Sequence, residues 1–140
     1  MKTAIILFSI LLCAHDTKAQ YIDSLLPGKW ELFKIMDNLT GTEAIIEKPH
    51  EDFKYTLSFS EDSVVKYNLE LNKCNSQYVL PAKNQIEFLY FPVCTEICCD
   101  RDFSSYLTYD ECTTYYLKNE NLLVLVSEDR IFYFNRILHE

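Results

Sequence analysis

"FKYTLSFS" (53–60) and "VKYNLELN" (65–72) flank the polar break "SEDS" (60–63). In the first run Phe53, Tyr55, Leu57 and Phe59 fall on one face, and Lys54, Thr56, Ser58 and Ser60 on the other. The second run repeats the pattern with Val65, Tyr67, Leu69 and Leu71. Successive side chains of a strand point to opposite faces, so this period of two sets one row on a core and the other in water. Two such runs joined by a short polar break predict a β-hairpin.

The same signal extends outward in both directions. "KWELFKIM" (29–36), "SQYVL" (76–80), "QIEFLYF" (85–91), "TTYYLK" (113–118), "LLVLVS" (122–127) and "RIFYFNRI" (130–137) read as further strands. The breaks "PAKN", "NEN" and "EDR" between them are short and polar. With only two glycines, the turns must rely on Asn, Asp and Ser. The expected fold is mainly β, an antiparallel barrel-like or strongly curled sheet of about eight strands. One segment breaks the period: Phe103, Tyr106 and Leu107 in "DRDFSSYLTYDE" (100–111) are spaced i, i+3, i+4. That predicts one short helix near 100–110, with Asp100 or Asp102 at its start. Expected inward residues are Trp30, Leu32, Tyr55, Leu57, Phe59, Tyr67, Leu69, Phe88, Phe103, Leu107, Tyr115, Leu123, Leu125, Phe132 and Phe134. In the long loop 38–52, Ala44-Ile45-Ile46 reads as a short strand or a lip over the core.

The chain opens "MKTAIILFSILLCAHDTKAQ". Lys2 is a short basic region, 4–14 is an apolar run too short to span a bilayer as a helix, and Thr17-Lys18-Ala19 offers a cleavage site. Residues 1–19 therefore read as a signal peptide, and 20–140 as a single exported domain, periplasmic or secreted. Leu12 stands before Cys13 where a lipidation site would place a small residue. No later stretch is long and apolar enough to cross a membrane as a helix. Without residues 1–19 the chain has 11 basic and 20 acidic side chains, a formal charge of −9. That sign argues against nucleic acid and anionic membrane surfaces as partners. Acidic pairs such as Glu51-Asp52 and Glu128-Asp129 fall where turns are expected, and read as solvated turn residues.

Five cysteines remain after Cys13: Cys74, Cys94, Cys98, Cys99 and Cys112. In an exported chain the default for them is disulfides, and the odd number leaves one thiol over. The spacing C-x3-C-C, then Cys112, lacks the paired C-x-x-C arms or Cys/His set of a zinc site. If Cys98 and Cys99 lie in extended chain their side chains face opposite ways and need different partners. Cys94 or Cys99 with Cys112 would tie the helix to the next strand. Outside the signal region the histidines are His50, in the long loop, and His139, one residue from the end. No G-x-S-x-G elbow, phosphate-binding glycine loop or H-E-x-x-H occurs. The sequence thus nominates no catalytic residue, cofactor site or metal site.

Two family resemblances add to this. Gly28 and Trp30, Leu57 and Phe59, Cys74-Asn75 before Tyr78, Thr95 before Cys98, Phe103 and Leu107, Tyr115-Tyr116, and Leu123 with Leu125 run in order along 28–137. That succession resembles the META/HslJ-like domain of bacterial envelope proteins. Lys73 and Gln77 stand where that family commonly has Gly, and Cys94, Cys99 and Cys112 are outside its pattern. The resemblance implies a small β-rich envelope domain with no established catalytic residue or cofactor. It also implies a Cys74–Cys98 disulfide, because the family's Cys-Asn and Thr-x-x-Cys elements are neighbours. Closing that loop of about 25 residues would stabilise the fold by roughly 3.5 kcal/mol in the chain-entropy model. Second, Gly28-Lys29-Trp30 resembles the G-x-W opening of a lipocalin's first strand, with Arg136 of the last strand placed to lie over the indole as a cation–π partner. The structural candidates are thus Trp30, Asn75, Thr95 and Arg136. The expected function is non-enzymatic, binding an unknown protein partner or serving as structural support in the envelope. The alternative is a lipocalin-like carrier of a small apolar ligand.

Overall fold

The computed structural model describes residues 20–89, 92–97 and 100–138. The signal-peptide expectation for 1–19, with Cys13, lies outside the described residues, as do Cys98, Cys99 and His139. Among the described residues ten strands form: β1 Gly28–Asp37, β2 Glu43–Ala44, β3 Thr56–Phe59, β4 Val64–Asn68, β5 Lys73–Val79, β6 Glu87–Phe88, β7 Val93–Cys94, β8 Thr114–Leu117, β9 Leu122–Val126 and β10 Arg130–Arg136. Eight of them make one antiparallel sheet in the order β6-β5-β4-β3-β1-β10-β9-β8, with β2 beside β1 and β7 beside β5. The expected curled antiparallel sheet is therefore present.

β1 organises it. Its first half pairs with β3, from Gly28 opposite Phe59 to Glu31 opposite Thr56. Its second half pairs with β2 on that edge, Ile35 facing Ala44 and Met36 facing Glu43. Along the other edge it runs against β10 throughout, with a register shift between Leu32 and Lys34. Such a bulge bends the strand and increases its twist, which helps the sheet curl. The curl brings the two ends of the sheet together: Gln85 bridges Thr114, Ile86 N donates to Thr113 O (3.1 Å) and Tyr115 N donates to Asn84 O (3.1 Å).

The hairpin 53–72 forms from β3 and β4, with Leu57 opposite Tyr67 and Phe59 opposite Val65. It is shorter than its alternation suggests. β4 stops at Asn68, because Leu69 N donates to Asn72 O in a tight turn. Leu71 is consequently 51% exposed, and Leu69 only packs against the core's rim. β5 correspondingly starts at Lys73, not at Ser76. The run 85–91 yields only two strand residues, since within a few positions the chain passes from β8, at Gln85, to β5, where Phe88 faces Tyr78. Tyr90 and Phe91 of that run lie outside the described residues.

The helical segment is two 3₁₀ turns, Asp102–Tyr106 and Tyr109–Glu111. Neither Asp100 nor Asp102 caps the first turn, whose N-cap is Arg101 with no side-chain cap. Phe103, Leu107, Tyr109 and Cys112 are all buried and seal the sheet's open side. Thirteen of the fifteen expected inward residues are buried, while Leu69 and Phe88 are partly buried against the core.

Candidate functional site

One end of the barrel is closed around Trp30. The indole is fully buried, and its Nε1–H donates to Leu26 O at 3.0 Å. Arg136 is its register partner across β1 and β10, and the guanidinium carbon stands 4.1 Å from the ring centroid. The guanidinium also donates to the carbonyls of Pro27 (2.9 Å), Glu120 and Leu25. Gly28 lies beneath it with φ +140°, where a β-carbon would be strained and would collide with that guanidinium. Gly28, Trp30 and Arg136 thus form one closed unit in which glycine supplies both the dihedral and the space.

The second centre is the staple. Cys74 is bonded to Cys94, S–S 2.03 Å. This corrects the expected Cys74–Cys98 pairing. β7 lies antiparallel to β5 with Cys94 directly opposite Cys74, Cα–Cα 4.0 Å, which is the position a disulfide needs. The pairing of Cys94 with Cys112 is excluded for the same reason, and Cys112 is a buried free thiol. Its pKa is pushed up by burial first, and then by the nearby Asp110 and Glu111 carboxylates, so the thiolate is suppressed.

A polar network surrounds the staple. Asn72, almost fully buried, donates through Nδ2 to Ile97 O (2.8 Å) and Asp100 Oδ2 (2.6 Å). Its Oδ1 accepts from Ile97 N (2.8 Å) and the Thr95 hydroxyl (2.9 Å). The Thr95 hydroxyl oxygen in turn accepts from Lys73 N (3.0 Å). Asp100 accepts from Leu71 N (2.7 Å); burial works to raise its pKa, but the bonds from the Asn72 side chain and the Leu71 and Asn72 amides together hold it below the usual carboxylate value. Beside it the Glu70 carboxylate, 4% exposed, takes the Arg101 guanidinium (2.8 Å) and the Arg101 backbone N–H (3.1 Å). The Tyr55 hydroxyl stands 3.2 Å from Glu70 Oε1, and burial followed by the Glu70 charge pushes its pKa up. Thr95 is therefore in the network, whereas Asn75 is exposed on the outer face of β5 and takes no part. The residues that sequence reasoning missed are Glu70, Asn72 and Arg101, while Asp100, expected at a helix start, instead holds Asn72 and Leu71. The turn-forming Asn72, just before Cys74, was the one available signal.

The third centre is on the outside. Lys29, Ser58, Lys66 and Asn75 are successive register partners across β1, β3, β4 and β5. With Lys73 and Thr95 they line a groove of about 450 Å³. Inside the barrel, by contrast, rings occupy the space. Tyr109 meets Tyr67, Phe132 and Phe134 at centroid distances of 5.2, 5.1 and 5.6 Å. Its hydroxyl is buried with no hydrogen-bond partner among the described residues. Nor do three or more His, Cys, Asp or Glu side chains gather in reach of a metal ion among those residues.

Fold and sites together define a small antiparallel barrel-like domain, closed at one end by a Trp–Arg unit and stapled at one edge. Among solved structures the chain is similar to a DUF4847 family protein from Bacteroides vulgatus, with a TM-score of 0.57 and 10% identity over 84% of this chain and 97% of that one. At that identity the likeness concerns the fold alone. No family model and no curated protein matches the chain.

Proposed function

We propose that the protein is a non-enzymatic exported domain of META/HslJ-like type that acts through its outer surface, binding or bracing a partner in the cell envelope. The observation that carries this reading is the filled interior. Tyr109, itself fully buried, occupies the barrel's middle with its ring against Tyr67, Phe132 and Phe134. A carrier keeps a hollow lined with apolar side chains, whereas a binding or structural domain packs that space densely. The Cys74–Cys94 disulfide is consistent with an oxidising compartment. No helix among the described residues is long and apolar enough to cross a membrane.

The second reading, a lipocalin-like carrier, draws on Gly28, Trp30 and Arg136, where the guanidinium covers the indole of a G-x-W strand. Native mass spectrometry of the protein purified gently from an oxidising compartment separates the two. A bare monomer mass is expected. A reproducible adduct of lipid-like mass would favour the carrier instead.

A further inference from the structure

The outer surface of the sheet divides into two halves of different character. On β3, β4 and β5 the outward residues are chiefly polar, among them Thr56, Ser58, Lys66, Asn75 and Gln77, as expected of a sheet face in water. On β8, β9, β10 and the second half of β1 they are largely apolar. One cross-strand row there runs Tyr116, Val124, Tyr133 and Lys34, with Phe33 beside it at the bulge; the next runs Thr114, Val126, Ile131 and Met36. Resting on the reading that the domain works through its outer surface, we infer that this face binds a neutral linear polysaccharide, whose sugar rings lie flat on Phe33 and Tyr116.

Charge and size restrict the occupant. Lys34 is the one charged side chain in the two rows, and it is already engaged: its ammonium pairs with Glu43 at 3.5 Å and stands 5.4 Å from the centre of the Tyr133 ring. Farther along β1, Glu31 is held by Lys54 at 3.0 Å. These rows thus offer an ionic ligand no unpaired charge, and their complement is neutral. The two rows span three strand separations, roughly 15 Å, and lie two residues apart, roughly 7 Å. That footprint, on the order of 100 Å², falls far below the roughly 800 Å² per partner of a stable protein complex. It fits one extended chain of linked sugar rings laid along the row.

The chemistry of the rings selects the sugar. Tyr116 is 48% and Phe33 45% exposed, at opposite ends of the row, with the Tyr133 ring between them and 6.3 Å from that of Phe33. An aromatic face carries partial negative charge, and the C–H bonds on the flat side of a sugar ring carry partial positive charge, so the two attract when stacked. A sugar also has a hydroxyl edge. Tyr116, Tyr133 and Thr114 bring hydroxyls to the same face and Asn135 an exposed amide, groups that both donate to and accept from sugar hydroxyls. A lipid chain would leave those groups unused. The rings stand on paired strands, and an aromatic side chain has only two torsions to fix, so little is lost on ordering.

Isothermal titration of the protein, expressed as the full chain and purified from an oxidising compartment, tests this. The ligands are the β-linked hexamers of glucose, mannose and N-acetylglucosamine, with polygalacturonate and phosphatidylcholine vesicles for comparison. Saturable binding of at least one hexamer is expected; which one binds identifies the sugar. Tyr116→Ala should weaken that binding at least about tenfold, whereas Tyr116→Phe, which keeps the ring, should stay within a few-fold of the parent. Both should melt at the parent's temperature; if Tyr116→Ala melts lower, Phe33→Ala at the other end of the row makes the same comparison. Binding no hexamer, binding polygalacturonate more tightly than any hexamer, adsorbing to the vesicles instead, or losing no affinity on removal of either ring would each overturn the inference. So would a dimer that Tyr116→Ala returns to monomer, which would assign the face to a second copy of the chain. The surface reading fails separately, by the appearance of an apolar adduct inside the protein, whatever the hexamers do.

Discussion

Gly28, Trp30 and Arg136 show how much one residue can decide. Gly28→Ala introduces a side chain at φ +140° and drives it into the Arg136 guanidinium, which three carbonyls and an indole hold in place. A loss of about 1–3 kcal/mol is expected, read as a lower midpoint in urea unfolding. Tyr109 makes the opposite prediction. Its hydroxyl is buried and unsatisfied, so Tyr109→Phe removes a group that has already lost its water. The variant should be unchanged or about 1 kcal/mol more stable, whereas Tyr109→Ala empties the middle of the barrel and should cost about 3–5 kcal/mol. A Tyr109→Phe variant markedly less stable than the parent would mean that the hydroxyl has a partner.

Elements divide into those that local pattern determines and those that closure determines. The alternating runs in β1, β3, β8, β9 and β10 place Trp30, Leu57, Tyr115, Leu123, Phe132 and Phe134 inward, and all six are fully buried. Period two survives there because each strand has one wet face. The pattern misled at 69–72, where Leu69 and Leu71 continue the alternation but the backbone turns to meet Asp100. It could not show that Asn72, not Asn75, is the polar hub, because that depends on a segment more than twenty residues away. The disulfide was misassigned for a related reason: two residues of β7 pair with β5, a strand too short to carry a periodic signal. The polar network around Asn72 and the staple are both testable. Asn72→Ala removes four hydrogen bonds at a nearly buried site and should cost about 1–3 kcal/mol. Replacing Cys74 and Cys94 by serine releases a loop of separation 20, a loss of roughly 3.3 kcal/mol in the chain-entropy model. Both are read from thermal melts. At the seam, the amides of Ile86 and Tyr115, held across a single bridge, should exchange with solvent faster than those of the β1–β10 ladder.

At the scale of the whole molecule, ionisation sets a pH window. Asp100 has a lowered pKa, so the stability it contributes is present above the unfolded carboxylate value and is lost as pH falls through the folded one. Tyr55, Tyr67 and Tyr115 have raised values, chiefly from burial. Their contribution is complete below the unfolded value and is lost as pH rises beyond it. The melting temperature should therefore hold level from about pH 5 to about pH 8, falling on the acid side through carboxylates and on the alkaline side first through the buried Cys112 thiol, whose value is also raised, and then through phenols. Differential scanning fluorimetry across that range checks it. A plateau ending well inside the window would point to other groups.

Cys112 is sealed beneath the second 3₁₀ turn, with 1% of its surface exposed. A thiol so placed is a chemical clock. With Cys98 and Cys99 replaced by serine, and the Cys74–Cys94 bond intact, Ellman's reagent finds no other thiol once residues 1–19 are removed. Each colour-forming event then records one opening of the barrel's lid, so the labelling rate in native buffer counts excursions that no melt would resolve.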